Sequence, residues 1–274
     1  MSMVSSGGRG DAVAGVGSVE PAALVCADVA LRFGGISALE DISLSVARHE
    51  FLAVIGPNGA GKTSLLNAIS GFYPLDRGRI SFAGRRIDGL PTHRIARLGL
   101  ARTFQGTHLF PSLTVLENIM VGRHIHMRTG LAQAFLQFPW THREELAHRE
   151  QAEEIIEFLQ IESVRDQPVG ALGYGLRKRV DLGRALAMQP RLLLLDEPMA
   201  GMNAEEKEDL ARFILDIREA RGIPIVMVEH DMSVVMDLAT RVVVLNFGRK
   251  IADAPPAAIR RDPLVIDAYL GKAA

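Results

Sequence analysis

Apolar residues fall into two patterns along the chain. Over residues 23–82 they form short β-like runs at Ala23–Cys26, Ile42–Val46, Phe51–Ile55 and Arg79–Phe82, with Gly84 as a turn residue. Runs at this spacing, joined by short turns, predict an antiparallel layer. Farther on, Leu192–Leu195, Ile225–Val228 and Val242–Leu245 are apolar at every position. Strands apolar on both faces are what a covered parallel sheet requires. Between the first two, Leu210, Phe213, Ile214 and Ile217 recur at i, i+3, i+4 and i+7, which predicts a helix. Asn203 is placed to cap it, with Glu206 at the capping-box position. Residues 107–171 hold few β-branched runs. A charged helix over Glu144–Gln160, with Ala152, Ile155, Ile156 and Leu159 as its apolar stripe, predicts a helical insert there. A last helix is expected from Asp262-Pro263 to near Gly271.

Composition narrows the class. The 274 residues are 48% hydrophobic and 23% charged, the mixture of a globular domain and not of a disordered or collagen-like chain. Net charge is -1, so no bulk positive field is present to hold nucleic acid. A single cysteine, Cys26, forms no internal disulfide and fits a reducing compartment. Residues 1–22 lack a basic stretch followed by a continuous apolar core, so a mobile tail is expected there and not a secretory leader. The longest uncharged stretch, Thr129–Thr141, falls short of the roughly 20 apolar residues that a spanning helix needs. No repeat with a period of 20–50 residues is visible.

The densest chemistry is Gly56-Pro57-Asn58-Gly59-Ala60-Gly61-Lys62-Thr63, followed by Ser64, which matches G-x-x-x-x-G-K-[ST]. The apolar run Phe51–Ile55 precedes it and a helical stretch from Thr63 to Ser70 follows, closed by Gly71. In that setting glycines turn backbone N–H groups inward, and the helix N-terminus adds further donors for phosphate oxygens. Lys62 is placed to neutralise the β- and γ-phosphates of a nucleotide, and the Thr63 hydroxyl to ligate Mg2+. Downstream, Leu192–Leu195 ends in Asp196-Glu197, two acids at a strand terminus, where an open α/β sheet binds ligands. Asp196 is the expected Mg2+ ligand and Glu197 the expected general base for water. Ile225–Val228 ends in Glu229-His230-Asp231. His230 is placed to donate to a γ-phosphate if its strand neighbours that of Asp196, while Asp231 reads equally as a helix N-cap. The other seven histidines, His148 among them, read as surface residues.

This order of motifs resembles the ATP-binding-cassette ATPases, the nucleotide-binding subunits of membrane transporters. Arg102-Thr-Phe-Gln105 is similar to their glutamine loop, Leu172-Gly173-Tyr174-Gly175-Leu176 stands where their signature lies, and Ala200-Gly-Met-Asn203 resembles the loop after the catalytic acid. Phe33 takes the place of the aromatic that stacks on adenine; a core phenylalanine is the other reading. Leu109–Ile119, Val121–His124 and Asp262–Gly271 look most like the branched-chain amino acid importer subunit with a longer helical insert, a subgroup whose related systems also carry urea, short amides and aromatic acids.

The resemblance implies an α/β fold with a RecA-like P-loop NTPase core, an antiparallel β subdomain and an inserted helical subdomain. The expected divisions are 1–22 as tail, 23–106 as nucleotide-binding core with the antiparallel layer, 107–171 as helical insert, 172–254 as the second part of the core, and 255–274 as a helical extension. It implies ATP and Mg2+ as cofactors, with Gln105 joining Thr63 and Asp196 at the metal, and Lys62, Gln105, Glu197 and His230 as the catalytic set. It implies a head-to-tail pair with a second cassette subunit, whose ATP would meet Gly173, Tyr174 and Gly175. Transmembrane permease subunits are the expected partners, through residues 106–123, with an external solute-binding protein engaged indirectly and a location on the cytoplasmic face of the cell membrane. One departure stands out. The family usually has serine where Gly173 stands and glutamine where Leu176 stands, so the serine hydroxyl that donates to the γ-phosphate is missing. A cassette acting on nucleic acid or ribosomes and a small-molecule P-loop kinase are the rivals. Net charge -1 and a single phosphate loop speak against the first, and the glutamine loop and signature segment against the second.

Overall fold

The computed structural model describes residues 22–127 and 139–270. The expected tail over 1–22 therefore falls almost entirely outside the described residues, as do most of the uncharged stretch after Thr129 and the stop at Gly271. Two sheets form the framework. The first runs in the order β2-β1-β4-β5, all antiparallel, from β1 (Leu24–Phe33), β2 (Ile36–Val46), β4 (Arg77–Phe82) and β5 (Arg85–Arg86). The second runs β10-β9-β3-β8-β7-β6, from β3 (Phe51–Ile55), β6 (Leu100–Arg102), β7 (Leu192–Asp196), β8 (Ile225–Val228), β9 (Arg241–Asn246) and β10 (Arg249–Ala254). It is parallel except for its antiparallel edge, β10.

The sequence reading needs one correction here. Phe51–Ile55 stands among the antiparallel runs in sequence, yet β3 lies in the middle of the parallel sheet, between β8 and β9. All five of its residues are buried, which only a strand covered on both faces achieves. Phe51, Ala53 and Ile55 face one core and Leu52 and Val54 the other.

The core containing Leu52 and Val54 fills the space against the antiparallel sheet and α1 (Lys62–Ile69). Cys26 belongs to it at 2% exposure, and burial pushes its thiol up to about 12. A thiol that stays protonated and hidden is a poor nucleophile. Cys26 in the native protein should therefore resist alkylation by a thiol reagent for as long as the fold holds and react fully in denaturant, which mass spectrometry measures directly.

The short α2 (Thr92–Arg97) adds Ile95 to the core of Leu52 and Val54. On the opposite face lie α3 (Val115–Arg123), α4 (Pro139–Phe158) and α5 (Tyr174–Ala187). The positions predicted for the stripe, Ala152, Ile155, Ile156 and Leu159, are buried at 0–5% exposure. Glycines let these helices approach: a Cβ on Gly183 would press on Leu159, Ile119 and Ile155. His148 departs from the surface role expected of it. It is buried, and its Nδ1 lies 3.1 Å from Arg123, whose guanidinium also donates to the Ala187 carbonyl at the end of α5. The helix α6 (Ala204–Arg221) starts with the capping box predicted at Asn203 and Glu206 and buries Leu210, Phe213, Ile214 and Ile217. The chain closes with α7 (Met232–Leu238), α8 (Pro256–Ile259) and α9 (Pro263–Leu270). Among the described residues no helix is long and apolar enough to cross a membrane.

Candidate nucleotide and metal site

Because β3, β6, β7 and β8 are parallel neighbours, their carboxyl ends open on one edge of the sheet. That edge carries the chemistry. From β3 the chain enters Gly56–Thr63 and then α1, whose N-cap is Gly61 with φ +101. No side chain caps this helix and no acid sits in its first turn, so its leading N–H groups and positive dipole end face outward. Asn58, Gly59 and Thr63 are exposed; Pro57, Gly61 and Ser64 are half-buried; Ala60 and Lys62 are buried. Lys62 Nζ donates to the carbonyls of Gly56 at 2.7 Å and Pro57 at 3.0 Å. Burial lowers the Lys62 pKa, and Glu197 and Asp196 push it back up, so both acids act on the ammonium. Lys62 and the two acids thus lie at the same edge of the sheet.

Gly56 shows why the loop needs glycine. Its φ is +148, and a Cβ there would run into the Leu245 carbonyl oxygen of β9. Gly56→Ala should lower stability by at least about 2 kcal/mol and weaken nucleotide binding with it. Thermal unfolding and ATP titration of the variant check both.

β7 delivers Asp196 at 2% exposure. Its Oδ2 accepts from Arg102 at 2.7 Å, while its buried Oδ1 has no partner among the described residues. A buried carboxylate oxygen left open at the end of β7 suits a hard cation, which takes few protein ligands and keeps several waters. Glu197 follows with φ +46, an uncommon conformation for a non-glycine residue and one that clusters at functional sites. Its Oε2 accepts from Gln105 Nε2 at 2.8 Å. The structure therefore brings together the phosphate loop, Gln105, Asp196 and Glu197.

His230 follows β8, which neighbours β7 in the register Asp196↔Val228, so the adjacency required of it is met. Its side chain is exposed, and its N–H donates to Glu229. Asp231 caps α7 through Ser233 N–H; hydrogen bonds from the Lys207 ammonium and the Ser233 hydroxyl hold its carboxyl well below the usual range. The capping reading fits it. Phe33 is 45% exposed, its ring centre 5.0 Å from that of Tyr73 in an edge-to-face pair, so it is not a core residue. Gly173, Tyr174 and Gly175 form the start of α5. Among the described residues no hydrogen bond joins them to the phosphate loop, Asp196 or Glu197. Of the apolar residues in 106–123, Val115 is core, Leu109 packs on the core, and Phe110 is half exposed.

Three contributors escaped the sequence reading. Lys178 of α5 is buried, and its Nζ donates to the carbonyls of Gln105 at 3.2 Å and Glu197 at 3.4 Å, tying both backbones together. Glu229 is buried and accepts from the N–H groups of Met199 and His230. Tyr269 of α9 lies near the Gly56 backbone, and partial burial raises its own pKa. Only Glu229 had a signal in sequence, as an acid ending a strand like Asp196.

A central strand, an uncapped phosphate loop and helix, and a pair of acids on the neighbouring edge define a P-loop nucleotide hydrolase. The family described as "ABC transporter" matches residues 39–200, and one described as "Branched-chain amino acid ATP-binding cassette transporter" matches residues 249–274. The chain is 39% identical over 243 residues to the high-affinity branched-chain amino acid transport ATP-binding protein BraF of Pseudomonas aeruginosa, covering 89% of this chain and 95% of that protein. It is 37% identical to LivG of Escherichia coli, a protein of the same description, with the same coverage. A crystal structure of a nucleotide-free ATP-binding cassette from an ABC transporter superposes with a TM-score of 0.80 at 31% identity, over 92% of this chain and all of that one. The chain belongs to the ABC transporter family, as its ATP-hydrolysing cassette.

Proposed function

We propose that this cassette powers uptake of branched-chain amino acids, on the cytoplasmic face of the cell membrane, paired head-to-tail with a second cassette and docked on transmembrane permease subunits. The observation that carries the ATPase part is the meeting of Lys62, Gln105, Asp196 and Glu197 at one sheet edge. The substrate class rests on the match of residues 249–274 and on the descriptions of the relatives.

In this reading the loop N–H groups and Lys62 bind the triphosphate. Thr63, Asp196 and Gln105 hold Mg2+, which when bound neutralises charge on the transferring phosphoryl group. Glu197 takes the proton from the attacking water, and the Gln105 amide orients the Glu197 carboxylate. His230 donates to the γ-phosphate, and Phe33 offers a face to adenine. Gly173, Tyr174 and Gly175 meet the nucleotide of the partner cassette through backbone N–H groups. Closure of the pair reaches the permease through residues 106–123, in which Phe110 and Val121 are exposed apolar residues.

The test is purification with the permease subunits, reconstitution in vesicles, and ATPase assay with the solute-binding protein loaded in turn with leucine, urea, a short amide or an aromatic acid. Stimulation by the leucine-loaded protein alone is the expected result. Stimulation only by one of the others assigns that solute instead.

A further inference from the structure

Arg102 belongs to the glutamine-loop motif, yet nothing so far gives its side chain a task. It ends β6 in register with Leu194 of β7, two residues before Asp196. Its side chain is 5% exposed and that of Asp196 is 3%. One terminal nitrogen donates to Asp196 Oδ2 at 2.7 Å and the other to Asn67 Oδ1 of α1 at 2.7 Å. The central carbon of the guanidinium lies 5.0 Å from the centre of the ring of Phe104, the residue before Gln105. One planar group thus touches the phosphate-loop helix, the carboxylate at the end of β7 and the glutamine loop. A lysine ammonium, compact and without a fork, has no geometry for all three.

We propose that Arg102 is a positioning residue for Mg2+: it occupies Oδ2 of Asp196 and thereby turns the other oxygen, Oδ1, toward the cation. The buried Oδ1, which among the described residues has no hydrogen-bond partner while Oδ2 accepts from Arg102, is the observation behind this. Partners of a ligating carboxylate fix its orientation and are worth about 10–100-fold in metal affinity. The inference rests on the reading of Asp196 as the metal ligand.

The experiment uses the full chain carrying Glu197→Gln, so that nucleotide is not consumed, and measures binding of a fluorescent ATP analogue first in EDTA and then across a Mg2+ titration. Arg102→Met and Arg102→Lys are compared with that parent, and a thermal melt verifies folding. Removing one partner of a buried ion pair leaves an uncompensated charge, so Arg102→Met has the greater risk of misfolding. Arg102→Lys retains a cation and carries the test in that event. The expected result is an apparent Mg2+ dissociation constant raised about 10–100-fold, with metal-free binding within about twofold of the parent. A folded Arg102→Lys whose Mg2+ response matches the parent overturns the inference. Equal losses in EDTA and in Mg2+ overturn it too, because they place Arg102 in service of α1 alone. A parent in which Mg2+ does not strengthen binding overturns the metal reading of Asp196, and the role of Arg102 with it.

Discussion

Glu197→Gln should lower ATP hydrolysis by about 10²–10⁴-fold, the typical contribution of a positioned general base, while ATP binding and ATP-driven pairing survive. The substitution keeps the shape of the side chain and removes its ability to accept a proton. The surroundings favour a folded variant. The Glu197 N–H is held by the Val228 carbonyl at 2.9 Å, its own carbonyl is held by Lys178, and its side chain accepts from the Gln105 amide, an arrangement a glutamine oxygen also accommodates. Phosphate release gives the turnover, and gel filtration with ATP gives the pairing. Turnover equal to that of the parent would remove Glu197 from the base role and leave another group to activate the water.

The second large effect concerns Gly173, where the signature serine is missing. Gly173→Ser should tighten the ATP-bound pair by about 1.5–3 kcal/mol per site, the worth of a hydrogen bond to a charged group. That corresponds to roughly tenfold or more in association. The position accepts a side chain freely: its φ of −59 and ψ of 161 suit any residue, and a Cβ would meet nothing within 4 Å. It is also the N-cap of α5, without a side-chain cap at present. A serine oxygen there accepts from the helix N–H groups and its proton remains free for a phosphate. Glycine and serine differ as N-caps by only a few tenths of a kcal/mol, so the melting temperature of the isolated chain should barely move. A shift in dimerisation without a shift in stability is the diagnostic pair, measured by sedimentation with ATP in the Glu197→Gln background. An unchanged monomer–dimer balance would show that the backbone donors of residues 173–175 already suffice.

The sequence made most of the nucleotide edge readable because its chemistry is dense and contiguous. Gly56–Thr63 and Asp196-Glu197 each sit directly after an apolar run, so the strand and the site announce each other. Arg102 and Lys178 are different. Each acts only where separate segments meet in space, and a basic residue in a charged stretch carries no mark of being buried. The antiparallel sheet was legible only in part for a local reason. β1 continues to Phe33 and β2 begins at Ile36, but bulges between Cys26 and Arg32 and positive φ at Asp28 and Asp41 break the alternation that a strand search relies on. β6 is three residues long and β10 is an edge strand with polar residues, so neither presents an apolar run. β3 was recognised as a strand but placed by its chain neighbours, and strand partners are a long-range property that periodicity does not encode.

The partners of β3 have a consequence for biosynthesis. Phe51 pairs with Ile225 and Leu52 with Arg241, so the strand that launches the phosphate loop is flanked on both sides by segments translated long afterwards. A nascent chain emerging from the ribosome can close the β1–β2 hairpin early, because those strands are local to each other. Its nucleotide edge has to wait until β8 and β9 leave the exit tunnel, with Phe51–Ile55 uncovered in the meantime. Slow, non-local pairing of this kind exposes an apolar strand to aggregation. Translation arrested before residue 225 should therefore yield a polypeptide that chaperones retain and that does not bind ATP.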